Sequence, residues 1–131
     1  MKKRLKPSRD NGPRKQRVEQ GAVVKKGKGL LKTALVYPNT YRAGMSSLGF
    51  QTVYRLANAI EFVACERGFL PDRKHAEQIP LSIESGEPLN RFDIILFSIS
   101  FENDFVHLAQ LLGKAGIPLR SSDRNHTHPL V

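Results

Sequence analysis

The chain has 131 residues, 40% of them hydrophobic and 25% charged, the size and balance of one globular domain. It contains no apolar run long enough to span a bilayer, and its one cysteine, Cys65, excludes an internal disulfide, a zinc knuckle or an iron–sulfur site built from this chain alone. The net charge of +9 is unevenly spread: residues 1–32 hold twelve Lys and Arg against Asp10 and Glu19, a net of +10, while residues 33–131 carry a net of −1.

The basic excess therefore belongs to the N-terminus and does not imply a basic groove on the folded part. Residues 1–31 mix lysines and arginines with Gly12, Pro13, Gly21, Gly27 and Gly29, and hold no apolar period beyond Gly21–Val24. Such composition buries too little surface to offset its ordering entropy, so a disordered basic arm is expected. It is either a solvated extension, or an upstream start that lengthens the chain, or a salt-sensitive contact to RNA or another polyanion; the lack of aromatic residues for base stacking favours the first two. No apolar stretch follows the first basic residues, so they do not form a secretory signal, and a cytoplasmic location is expected.

Residues 32–131 read as an α/β domain. Lys32–Tyr37 is a short apolar run stopped by Pro38, a buried strand, followed by a loop over Pro38–Met45. Ser46 or Ser47 caps a helix on which Gly49, Val53, Leu56, Ala57 and Ile60 share one face. Phe62–Leu70 is the second strand, Leu81–Ile83 a short edge piece, and Glu84–Asn90 a turn. Asp93–Phe101 is the strongest strand, continuously apolar at first as in a strand covered on both faces. Asn103 or Asp104 caps the next helix, with Phe105, Leu108, Ala109 and Leu112 inward, and Gly116 with Pro118 ends it. His128–Val131 looks like the start of a fourth strand.

Strands alternating with helices imply a parallel sheet with right-handed crossovers, of order 2-1-3, the first half of a doubly wound, flavodoxin-like fold. Ligands in such folds sit beyond the carboxyl ends of the strands, here at Pro38–Met45 and Ser98–Asp104. An open half-sheet predicts a truncated piece of a longer protein.

The remaining motifs carry little chemistry. Gly44–Gly49 has the glycine spacing of a phosphate loop, but Phe50-Gln51 stands where Lys and Ser or Thr are needed. His126 and His128 lack further metal ligands nearby, and His75 and His107 read as surface residues. Cys65 reads as a buried small hydrophobe without a base partner. Glu102, Asn103 and Asp104 either cap the helix or face a ligand. No catalytic residue and no metal site is assigned.

Five segments in order, Ala34–Gln51, Cys65–Arg67, Leu81–Leu89, Phe92–Asp104 and Ala115–Arg120, resemble the N-terminal region of radical SAM proteins with a cobalamin-binding-type domain. The resemblance covers residues 33–131. It implies a non-catalytic, cobalamin-binding-like domain ahead of a downstream radical SAM barrel. That barrel, with its C-x-x-x-C-x-x-C motif, [4Fe–4S] cluster and S-adenosylmethionine, is absent from this chain. Standard cobalamin modules carry Asp-x-His-x-x-Gly after the first strand. Here Asn39, Thr40, Tyr41 and Gly44 occupy that stretch, with Tyr41 in place of the histidine that ligates cobalt. A neutral tyrosine is a poor axial ligand, so either a corrinoid is held without a protein axial ligand or the fold has kept its shape and lost the cofactor. Ser98 and Ser100 fall where such domains contact the corrin's nucleotide tail. The alternative is a small RNA-associated module whose affinity comes from the basic arm.

Overall fold

The computed structural model describes residues 21–131; the first twenty residues of the expected arm lie outside them. The sheet is built around β1, Leu31–Tyr37, whose residues from Thr33 onward are all buried. β2, Val63–Phe69, and β3, Ile94–Phe97, pair with it on either side, both parallel, in the order β2-β1-β3. This is the α/β sheet of order 2-1-3 that the sequence predicts. Leu35 stands level with Arg67 on β2 and Leu96 on β3. The two-residue period then sends Thr33, Leu35 and Tyr37 to one face and Ala34 and Val36 to the other.

Among the described residues there are three α-helices, two of them between β1 and β2 and the third after β3. α1, Tyr41–Met45, occupies a stretch expected as loop. Thr40 starts it, its side chain accepting a hydrogen bond from the Ala43 N–H. α2, Leu48–Ala59, begins at Ser47, whose hydroxyl accepts from the Phe50 N–H at 3.3 Å. It lies on the Leu35–Tyr37 face, packing Phe50 and Tyr54 against Cys65 and Phe69. α3, Asn103–Lys114, packs Leu111 and Leu112 on the opposite face against Ala34, Val36 and Ile95.

The inward faces of the helices differ from expectation. In α2 the buried residues are Phe50 and Tyr54, while Val53, Leu56 and Ile60 are 42%, 59% and 45% exposed. Aromatic side chains one position around the helix reach the sheet, and the aliphatic stripe is left outside. In α3 Leu108 and Leu112 face inward as expected, joined by Asp104 and Leu111, while Phe105 is exposed. β3 is four residues rather than nine, and Leu96 is 40% exposed. No described helix covers β3 on the α2 side, so this strand is buried on one face only.

Two segments outside the helices complete the domain. Residues 81–88 fold back on themselves through a Leu81–Pro88 bridge and lie antiparallel along the outer edge of β2, bridging Gly68 to Ser82. At the far edge, Leu130 forms a parallel bridge with Ile94, its backbone N–H donating to Asp93 and its carbonyl accepting from Ile95. Residues 21–31, assigned by sequence to the arm, contact the domain. The Val23 N–H donates to the Tyr54 hydroxyl at 2.8 Å. The Lys25 ammonium donates to the Ile60 and Val63 carbonyls at 2.7 and 2.8 Å, at the C-cap of α2 and the first residue of β2. Leu31 is the first residue of β1. Among the described residues no helix is long and apolar enough to cross a membrane.

Candidate functional site

The carboxyl ends of β1 and β3 lie side by side, Val36 level with Phe97. Beyond them the chain departs toward opposite faces, to α1 and α2 after β1 and to α3 after β3. This divergence opens the crevice in which parallel α/β sheets hold ligands.

On the β1 side the predicted residues are engaged locally. The Asn39 side-chain oxygen accepts from the Thr40 N–H at 2.8 Å, and its backbone carbonyl accepts from the Leu70 N–H at 2.9 Å. The Tyr41 ring meets Phe69 edge-on at 5.2 Å. Gly44 is buried, and a Cβ on it would overlap the Phe69 ring. Asn39 and Thr40 thus shape the turn, while Tyr41 and Gly44 seat α1 on the end of β2.

On the β3 side, the Ser98 N–H donates to the Val36 carbonyl at 2.9 Å and carries the strand pairing one step further. The Tyr37 hydroxyl bonds the Ser100 hydroxyl at 3.0 Å, tying the two strand ends together. Asp104, 1% exposed, reaches back so that one carboxylate oxygen accepts from the Ser100 and Phe101 N–H groups at 2.8 and 2.9 Å. A carboxylate on free N–H groups at a helix start is favoured by the helix dipole. Its second oxygen, Oδ1, is buried without a hydrogen-bond partner. One turn on, His107 Nδ1 lies 2.9 Å from the Pro38 carbonyl and links α3 to the end of β1.

The structure therefore brings Ser98, Ser100, Asp104 and His107 to one side of the crevice and the Asn39–Gly44 turn to the other. His107 read as a surface residue; the signal that marks it is its place one turn beyond Asp104, on the sheet-facing side of α3.

A second polar feature lies under α2 and carried no sequence signal. Arg67 and Glu84 form a buried ion pair at 2.6 Å, their side chains 5% and 2% exposed. Glu84 also accepts from the Arg67 backbone N–H at 2.7 Å, and the guanidinium sits 4.7 Å over the Tyr54 ring. A cleft of about 420 Å³ opens beside them, lined by Met45, Gln51, Tyr54, Arg55, Asn58 and Arg67 among others. Burial, reinforced by the nearby Glu84 charge, pushes the Cys65 thiol up to about 12. Burial thus favours the protonated thiol over the thiolate that nucleophilic or metal-binding cysteines use. Among the described residues no three His, Cys, Asp or Glu are placed to hold a metal ion.

The sequence model of one protein family, described as radical SAM proteins, N-terminal, matches residues 49–131, from α2 to the last residue. No curated protein and no solved structure matches the chain.

Proposed function

The chain belongs to the family of radical SAM protein N-terminal regions, and on that premise we propose that it is a non-catalytic, corrinoid-type accessory domain. In the full-length protein, the family implies a radical SAM domain with a [4Fe–4S] cluster and S-adenosylmethionine. The residues present here do not fit that cluster, since the one cysteine is buried in the sheet. The domain is read as a part of that longer cytoplasmic protein, its role being to hold a ligand against the downstream domain.

The observation that carries the reading is the crevice between Pro38–Thr40 and Ser98–Asp104 at the carboxyl ends of a parallel 2-1-3 sheet. Its polar groups suit a corrinoid. Ser98 and Ser100 offer hydroxyls to the amide side chains of a corrin ring, on a turn that the buried Asp104 carboxylate holds in place. Tyr41 supplies no cobalt ligand, its ring being taken up by Phe69. A bound corrinoid supplies a cobalt centre for alkyl transfer. The chain's own part is to orient the ligand through the β3–α3 turn, kept in register by the Tyr37–Ser100 bond.

Titration with hydroxocobalamin tests this. Wild type is expected to shift the corrinoid absorption bands and to carry the colour through a sizing column, and Tyr41→Phe is expected to retain both. Absence of any spectral change or co-elution, in wild type and in Asn39→Asp/Tyr41→His alike, would remove the corrinoid from the reading.

A second reading, contact of residues 1–32 with RNA or another polyanion, is favoured by their net charge of +10. Binding to single-stranded RNA that is absent at low salt would refute it.

A further inference from the structure

His107 stands at the crevice with one ring nitrogen committed and the other free. Its Nδ1 is 2.9 Å from the Pro38 carbonyl oxygen. A carbonyl oxygen only accepts, so Nδ1 donates to it, and Nε2 is the ring nitrogen left for a ligand. Among the described residues Nε2 makes no hydrogen bond. Asp104 Oδ1 is the one buried side-chain polar atom without a partner among the described residues, so Nε2 is reached by solvent. A histidine whose Nδ1–H is held by a backbone carbonyl is oriented to coordinate a metal through Nε2. The carbonyl belongs to Pro38, the residue just after the central strand, so the imidazole is tied to the end of the sheet.

The surroundings narrow the metal. No cluster of three ligating side chains exists among the described residues, and a single imidazole does not retain a bare ion. A metal whose other positions are filled by its own chelate needs one protein ligand and no more. We infer that His107 Nε2 is the protein ligand to the cobalt of a corrinoid in this crevice, taking from α3 the role that Tyr41 after β1 does not fill. The inference rests on the corrinoid reading above.

Cobinamide, which has no nucleotide base of its own, is the probe. Bound to the full chain and reduced to Co(II), it is expected to show a three-line superhyperfine pattern from one ¹⁴N ligand. Protein labelled with ¹⁵N-histidine should convert this to two lines. His107→Gln, whose amide can still donate to the Pro38 carbonyl, should lose the splitting while its far-UV circular dichroism stays that of wild type. His128→Ala should keep it. Cobinamide that co-elutes with wild type without nitrogen splitting, or splitting that survives in His107→Gln, overturns the assignment of His107 and leaves the corrinoid reading standing. If neither cobinamide nor hydroxocobalamin binds wild type, both fall together.

Discussion

At Gly44 there is no room for a methyl group. A Cβ would run into the Phe69 ring and stand 3.1 Å from Tyr37 Cβ, so α1 closes over the ends of β1 and β2 only because this residue has no side chain. Gly44→Ala is expected to cost about 1–3 kcal/mol by overpacking. The measurement is urea unfolding, where the midpoint should fall at constant slope. An unchanged midpoint would show that Phe69 swings aside at little cost. The residue was legible as a glycine at family spacing, but its packing against Phe69 was not, because the two positions lie 25 residues apart and meet only through the β1–β2 pairing. Arg67 and Glu84 escaped for the same reason. A charged residue in the middle of VACERGF reads as solvent-facing, and only the fold-back of residues 81–88 brings the carboxylate that lets it stay buried.

The elements show where periodicity suffices and where it does not. β1 and β2 were legible to within a residue, β1 because a short apolar run stopped by a proline has few other solutions. The caps were half legible: Ser47 starts α2, whereas Asp104 serves α3 from inside the helix, by reaching back. The inward face of α2 was misread because two apolar stripes run along it, and sequence does not say which one the sheet takes. Lys25 and Val23 were illegible for a different reason: their partners are a helix end and a tyrosine hydroxyl, which leave no pattern near them. A consequence is measurable. Deleting residues 1–30 should lower the melting temperature by several degrees relative to deleting residues 1–20, because the first change removes the Lys25 contacts and the Val23–Tyr54 hydrogen bonds. Equal melting temperatures for the two truncations would mean that residues 21–30 contribute nothing to the folded state.

For the whole molecule, the two faces of the sheet are unequal. On the α3 side the core is closed by Leu111, Leu112 and Ile117. On the α2 side, Leu96 of β3 is 40% exposed. Val53 and Leu56 of α2, with Ile60 at its end, are exposed as well. An apolar surface of this kind binds hydrophobic dyes and limits solubility. Wild type is expected to enhance anilinonaphthalene sulfonate fluorescence in its folded state. Leu56→Lys should reduce that signal with little change in stability, since Leu56 is already mostly solvated. Equal dye binding by the two proteins would place the exposed apolar surface elsewhere.

The strip formed by residues 81–88 has a consequence for assembly. It blocks backbone pairing along one border of the sheet, at Arg67 and Gly68, while among the described residues the opposite border is engaged by Leu130 alone. A particle with one sticky border and one sealed border has a valence of one. Two copies joining border to border satisfy each other about a two-fold axis and leave nothing exposed for a third. Misassembly by strand pairing therefore terminates at a pair, and propagation into a fibre would first require the strip to be peeled away.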